Sequence, residues 1–378
     1  MVALSGNVPP CMTAPALIET IASMADVRFD GQRPYDLDVH DRGLFSDLLQ
    51  RGGLALGEGY VRGDWDCDDL PELIARLLRA RYQLEANPLQ GLREAWQRLR
   101  EWMLNPQTLH RSFRVGRVHY DIDPRVYAAM LDARRIYSCA IWNDGDTLDQ
   151  AQERKLDLIC RKLELRPGHR LLDVGCGWGG LLAYACEHYG VQGYGITISA
   201  RQYAYIRDHH TNLPIEVLMA DYRSLPQLNQ PRFDRIVSVG MFEHVGPVNQ
   251  GTYHRILRDC LHPDGLFLLQ TIGHFVTTPQ TDPWIERYIF PGGRLPGPSQ
   301  LAQGVEGVYQ LQSWENYGLH YERTLLAWWE KFSAHWPLLQ GTLSDEFYRM
   351  WRYYLLGCAG YFRSGHGQLW QLLLRPAL

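Results

Sequence analysis

No two of the eight cysteines stand in a C-x-x-C pair; they are scattered at Cys11, Cys67, Cys139, Cys160, Cys176, Cys186, Cys260 and Cys358. Such spacing supplies neither a zinc site nor a disulfide framework, and a chain of this size needs no staples. A reducing, cytoplasmic setting with no metal is therefore expected. No apolar run reaches the roughly 18 residues that a bilayer span requires, and the opening MVALSGNVPPCMTAP lacks the basic and apolar regions of a secretory signal. Contact with a membrane is expected only at its surface. A formal net charge of −4 provides no general attraction to nucleic acid or anionic lipid, so nucleic acid is not an expected partner and any attraction to lipid needs a local patch. There is no internal repeat and no low-complexity tract. What is present is a globular composition, 46% apolar over 378 residues, which is enough for a catalytic domain and one smaller companion.

The companion comes first. Residues 1–105 mix Gly-rich turns (Gly52-Gly53, Gly57, Gly59, Gly63) with helical stretches at Pro71–Leu84 and Gly91–Leu104. In the second stretch Leu92, Trp96, Leu99 and Met103 fall on one stripe, with Arg93, Arg98 and Arg100 on the other face. This pattern suits a helix packed on its own core or one lying on a lipid surface, and both readings stay open. Residues 106–145 are expected to form a linker with lid helices. From 146 to 378 short apolar strands alternate with helices: His169–Val174, Val191–Ile198, Ile215–Ala220, Phe233–Val239 and Leu266–Ile272 are the expected strands, and Leu369–Leu374 a last edge strand. The fold class is α/β, a doubly wound and mostly parallel sheet, whose ligands bind beyond the carboxyl ends of the strands.

At the first of those ends stands Leu171-Leu172-Asp173-Val174-Gly175-Cys176-Gly177-Trp178-Gly179-Gly180. Glycines between a strand and a helix allow a tight turn and close approach of a ligand to the backbone. A dinucleotide site would also carry an acid at the end of the next strand to hold a ribose. That strand ends Gly195-Ile196-Thr197-Ile198, without one. Asp173, two residues before the first glycine, would repel a pyrophosphate and attract the ammonium or sulfonium end of S-adenosyl-L-methionine. Charge therefore favours the methyl donor.

Further motifs carry a resemblance. His119-Tyr120-Asp121, Tyr137–Trp142, Leu172–Gly180, Gly195–Ser199, Val237–Gly246, Asp282–Ile285, Tyr288–Pro296, and Tyr321 before Thr324-Leu325 follow one another as in the cyclopropane fatty acid synthase family, which this chain resembles over nearly its whole length. Gly57–Trp65 resembles the extra amino-terminal domain of the bacterial phospholipid-modifying members. The resemblance implies a class I methyltransferase (Rossmann-like) core. It also implies a cyclopropane-fatty-acyl-phospholipid synthase activity on unsaturated acyl chains, peripheral association with the inner membrane surface, and a homodimer assembled through the amino-terminal domain. It implies cofactor contacts from Tyr137, Ser138, Asp173, Gly175, Gly177, Thr197, Gln202, Tyr222 and Arg223, with Gln202 a neutral substitute for the missing ribose acid.

Chemistry at an alkene needs a sulfonium aligned with the double bond, a dry pocket for the cation that forms, and a base that takes a proton from the new methyl group. In the family that base resembles a bound bicarbonate, held at positions matching Cys139, Glu243, Gln270, the backbone of Ile272, and Tyr321. The adjacent acid and imidazole Glu243-His244, just after an apolar strand, mark a place for chemistry in their own right, with His244 a supporting partner. Cys358 matches a late cysteine sometimes regarded as an active-site residue, yet alkene methylation requires no thiol. One absence sets the chain apart: most members carry a histidine where Gln270 stands. An amide can donate to bicarbonate but relays no proton, which brings in His274, expected on the loop after the strand with Gly273 freeing it to turn inward. A methyl- or methylene-branching outcome, N-methylation of a small amine, and a non-enzymatic lipid-binding protein remain as alternatives.

Overall fold

The computed structural model describes residues 15–84, 122–228, 230–277 and 281–377. The amphipathic segment 91–104, with Arg93, Arg98 and Arg100, and the motif His119–Asp121 lie outside these. The amino-terminal part runs α1 (Ala16–Met24), β1 (Asp38–Val39), α2 (Gly43–Arg51), α3 (Gly53–Arg62), β2 (Trp65–Asp66) and α4 (Leu70–Leu84). Gly63 ends α3 with φ of 87°, a left-handed cap that a side chain resists. Then follow α5 (Pro124–Met130), α6 (Leu148–Lys162), β3 (Arg170–Val174), α7 (Gly180–Tyr189), β4 (Gln192–Thr197), α8 (Ala200–His209), β5 (Ile215–Met219) and β6 (Phe233–Val239). The chain closes with α9 (Gln250–Cys260), β7 (Leu261–His274), α10 (Pro283–Tyr288), α11 (Pro298–Val305), β8 (Tyr309–Asn316), α12 (Gly318–Leu339), α13 (Asp345–Arg363) and β9 (Gly367–Pro376).

The main sheet has the order β5-β4-β3-β6-β7-β9-β8. Strands β3 to β7 are parallel to their neighbours, as the strand-helix alternation requires, and β9 runs antiparallel between β7 and β8. Leu369–Leu374 is thus an interior strand and not the expected edge: Leu369, Leu372 and Leu374 are buried, and β8 covers the side away from β7. The edge strand β8 escapes sequence reading because YQLQSWEN carries no apolar run or clean alternation. On one face of the sheet Leu266 and Leu268 meet Leu156 and Ile159 of α6; on the other Phe267 and Leu269 meet Tyr253 and Leu257 of α9. Such two-sided burial is what turns central parallel strands into continuous apolar runs.

The amino-terminal helices share a core with the last two long helices. Tyr60, Trp65, Leu70 and Leu73 belong to one apolar cluster with Trp328, Trp351, Tyr353 and Leu355. Arg349 Nε donates to the Tyr60 carbonyl at 2.7 Å. Gly57 lies so close to the Trp284 ring that an added Cβ would sit 2.4 Å from it.

Candidate active site

Between β3 and α7 the chain turns on Gly175, Gly177 and Gly179, with φ of 89°, 55° and 83°. Only glycine accepts three such angles in five residues without strain. The turn forms one wall of a cleft of about 180 Å³ at the carboxyl edge of the sheet, where a doubly wound fold places its ligand. The other walls come from the end of β4, the Ala220–Arg223 stretch after β5, Val239–Met241 at the end of β6, and Arg135–Ser138. Tyr137, Ser138, Asp173, Gly175, Gly177, Thr197, Gln202, Tyr222 and Arg223 all line it.

Their contacts are specific. Asp173 is 3% exposed, and burial pushes its carboxyl up to about 7 against the opposing pull of Lys155. The Thr197 hydroxyl donates to Gln202 Oε1 at 2.7 Å. The Tyr222 hydroxyl accepts from Arg223 Nε at 3.2 Å, with the guanidinium 5.0 Å from the Tyr222 ring centre. The Tyr137 hydroxyl meets that of Tyr354 at 2.6 Å, and its ring tilts against Trp328 at 5.2 Å. The Ser138 hydroxyl accepts from Lys155 Nζ at 3.0 Å.

Of the residues expected at the double bond, His244 alone lines this cleft; burial pushes its imidazole down to about 4, so it is neutral at pH 7. Glu243, beside it in the one-turn helix Phe242–His244, is buried, and its Oε1 accepts from the Ile272 backbone N–H at 2.6 Å. That donor was expected to face an anion; here the carboxylate itself occupies it. Glu243 Oε2 is buried with no hydrogen-bond partner among the described residues, and desolvation pushes the group up to about 7 against the opposing effect of the Ile272 N–H and the Thr271 hydroxyl. Tyr321 gathers the set: its phenol feels Cys139, Glu243 and Cys358, and burial drives it well above the ordinary tyrosine value. Its ring lies 4.6 Å from Phe362 and 6.1 Å from Trp328. The Cys139 thiol donates to the Ala140 carbonyl at 3.2 Å, with Thr324 Oγ1 at 3.8 Å from its sulfur, and burial raises its pKa. Burial likewise pushes Cys358 up to about 12, which leaves it a thiol and no nucleophile.

Gln270 is oriented by a chain of bonds. A lysine only donates, so Lys162 Nζ fixes Gln371 Oε1 at 2.7 Å; Gln371 Nε2 must then donate to Gln270 Oε1, at 2.9 Å. The Gln270 amide N–H groups are what remains to offer. Gln270 shares a face of β7 with Ile272 by strand alternation, and Ile272 packs against the cluster of Cys139, Tyr321 and Trp328. His274 is not on a loop. It is the last residue of β7, its Nδ1 lies 3.1 Å from the Val276 carbonyl, and its ring stacks on Phe275 at 5.2 Å. Gly273 does not free it to turn inward either: a Cβ there would sit 1.9 Å from the Trp370 ring, so this glycine serves close packing.

Sequence reasoning passed over two groups. Trp328, in the same cluster as Tyr321, holds a buried indole N–H with no hydrogen-bond partner among the described residues. Lys155 lines the cleft although it is only 1% exposed. Its signal was available: Ala151, Gln152, Lys155, Leu156 and Ile159 make one buried stripe of α6, and an ammonium on an apolar stripe demands a reason.

A glycine turn below a buried aspartate, at the carboxyl edge of a seven-stranded sheet with one antiparallel strand, defines a class I S-adenosylmethionine-dependent methyltransferase. A family profile described as mycolic acid cyclopropane synthetase matches residues 107–372, and the chain belongs to that family. It is 44% identical over 355 residues to the cyclopropane-fatty-acyl-phospholipid synthase of Escherichia coli strain K12, covering 93% of this chain and 91% of that one. Among solved structures, the cyclopropane synthase MmaA2 from Mycobacterium tuberculosis is 34% identical with a TM-score of 0.64, covering 69% of this chain and 97% of that one. The mycolic acid cyclopropane synthase CmaA1 complexed with SAH and CTAB is 32% identical, with the same TM-score and coverage.

Proposed function

We propose that this chain is a cyclopropane-fatty-acyl-phospholipid synthase that transfers the methyl of S-adenosyl-L-methionine to a cis double bond of a phospholipid acyl chain and completes the ring with bicarbonate as base. The observation that carries this reading is the buried Glu243 carboxylate, one oxygen without a hydrogen-bond partner among the described residues, whose charge acts on the Tyr321 phenol as that of Cys139 does, with Trp328 and Phe362 packed on the Tyr321 ring. Bicarbonate suits the chemistry of these groups: Glu243 Oε2 would accept its hydroxyl, and the Gln270 amide, the Tyr321 phenol and the Trp328 indole would supply donors to its oxygens, while the Ile272 N–H holds the Glu243 carboxylate. When bound, S-adenosylmethionine supplies an electrophilic methyl and bicarbonate a proton acceptor.

The chain's own residues set the conditions for that chemistry. Asp173 holds the donor's ammonium. The rings of Tyr137, Trp328, Tyr321 and Phe362 exclude water and present π-faces to a developing carbocation. Glu243, held near neutrality by burial, orients the base and shares its proton. His244, neutral, faces the cofactor cleft as a spacer between the two sets, and Cys358 packs against them. Because the substrate's acyl chains lie in a bilayer and no helix among the described residues is long and apolar enough to cross one, the enzyme works from the membrane surface. It does so as a homodimer, with residues 1–105 as the lipid-facing and dimerising part, 106–145 as linker and lid, and 146–378 as the catalytic domain.

Expression in a host without such enzymes, followed by lipid extraction and mass analysis, tests the proposal. A gain of one methylene per acyl chain with loss of alkene signals is expected. A branched or still unsaturated product, or methylation of an amine with lipids untouched, would replace it with a different outcome on the same cofactor.

A further inference from the structure

The chain takes nearly all its positive charge from arginine and has three lysines, Lys155, Lys162 and Lys331. One of them is buried in the wall of the cofactor cleft. Among the described residues Lys155 makes a single side-chain hydrogen bond, to the Ser138 hydroxyl at 3.0 Å, and none of their carboxylates lies within ion-pairing distance of its ammonium. Asp173, across the same cleft, is equally without an ion pair or hydrogen bond to its side chain among the described residues. The two feel each other's charge, and Lys155 also feels Asp132 and Cys139. Asp132 is engaged elsewhere, accepting from the backbone N–H groups of Arg134 and Ile136 at 2.9 and 2.8 Å.

Opposite charges buried in one cleft and kept from pairing with each other are costly unless a ligand completes them. An α-amino acid zwitterion is the complement: its ammonium answers Asp173 and its carboxylate needs a cation and a donor. Hydrogen-bond polarity says where the donor is. Lysine only donates, so Ser138 Oγ is the acceptor in that bond, and the hydroxyl proton is directed away from Lys155 toward an acceptor in the cleft. Gln152, one turn earlier on α6, donates to the Ser138 carbonyl at 2.8 Å and fixes its backbone. Both ends of Ser138 are thus set from the buried stripe of one helix.

We propose that Lys155 is a positioning residue for the α-carboxylate of the methyl donor: it supplies the counter-charge and polarises and aims the Ser138 hydroxyl that binds that carboxylate. A lysine suits the position where arginine would not, because a compact ammonium seats one hydroxyl while a planar fork would reach for two acceptors. The inference rests on the cofactor assignment and not on the lipid chemistry.

The test measures binding, without lipid or turnover. Calorimetry of the full-length protein with S-adenosylmethionine and with its decarboxylated analogue, which keeps the sulfonium and amine but lacks the carboxylate, gives a ratio of dissociation constants. The wild type should favour the intact cofactor by about tenfold or more, the scale of one charge-assisted hydrogen bond. Lys155→Gln and Ser138→Ala should each bring that ratio to within about threefold, chiefly by weakening the intact cofactor, and the double variant should lower it no further, since the two act as one unit. If Lys155→Gln does not fold, Lys155→Arg, which keeps a cation but not the compact ammonium that seats one hydroxyl, is read on the same ratio and should lower it, a wild-type ratio overturning the proposal. Variants that keep the wild-type ratio, or that weaken both ligands equally, overturn the proposal and make Lys155 a structural cation. A wild type that binds neither ligand would instead overturn the cofactor assignment.

Discussion

Asp173 and Glu243 stand at the carboxyl ends of neighbouring strands, β3 and β6; both are buried, and burial pushes both carboxyls up to about 7. Their surroundings differ. Asp173 opens onto the cleft with the ammonium of Lys155 acting on it, whereas Glu243 is held by the Ile272 N–H with the Thr271 hydroxyl acting on it, and no cation among the described residues offsets its burial. A buried carboxylate near an unpaired cation is poised to recognise charge. One without a cation can gain or lose a proton near neutral pH, which is what chemistry at a reacting methyl needs.

Exchanging either carboxylate for its amide should pull the two apart, and the larger effect belongs to Glu243. Glu243→Gln should lower turnover about 10²- to 10³-fold, the usual consequence of removing a buried polar group that acts on the transition state, with cofactor affinity unchanged. Asp173→Asn should weaken cofactor binding about 10- to 100-fold while leaving the product pattern of whatever turnover survives. Steady-state rates paired with calorimetry separate the two; a Glu243→Gln protein that bound the cofactor poorly but turned over normally would merge the regions that the geometry divides.

Intermediate in size is a pH effect confined to the cofactor side. Binding the donor's ammonium requires ionised Asp173, so affinity should fall as pH drops through about 7. Binding its carboxylate is favoured by protonated Lys155, which burial lowers to about 8, so affinity should fall again as pH rises through that value. A maximum between the two is expected. Asp173→Asn should remove the acid limb and Lys155→Gln should reduce the alkaline limb to what the donor's own amino group contributes, while Glu243→Gln should leave both, although Glu243 titrates in the same range. A profile altered by the Glu243 change would show the sites to be coupled.

The smallest effect is expected at Cys358. Its thiol stays protonated, lies among aromatic side chains, and has no role in the proposed chemistry; Cys358→Ala should change turnover by no more than about threefold, through packing alone. Loss of activity comparable to that of Glu243→Gln would move the cysteine into the reacting set.

How much of this was legible in the linear text depends on where each group sits relative to a strand end. Asp173, the glycine turn and Glu243 all lie within a few residues of one, and a parallel sheet brings all its carboxyl ends to one edge, so reading those motifs in order was enough to collect them, while Thr197 and Tyr222 came from the family resemblance. The sequence by itself therefore determined the sheet's parallel half, the cofactor's side of the site, and the class of chemistry its charges permit.

Tertiary structure alone decided what meets from helices and late strands. Lys155 reaches Ser138 because α6 docks its apolar stripe against the sheet, and Tyr321 reaches Cys139 and Glu243 because α12 packs across them. Gln270 presents its amide N–H because Gln371 arrives on β9, an inserted strand that the text suggested as an edge, and because Lys162 allows that glutamine one orientation. None of these is a matter of local propensity. Each follows from long-range packing, where the position of a helix or strand is set by the summed burial of its neighbours, and hydrogen-bond polarity then leaves its buried polar groups a single arrangement.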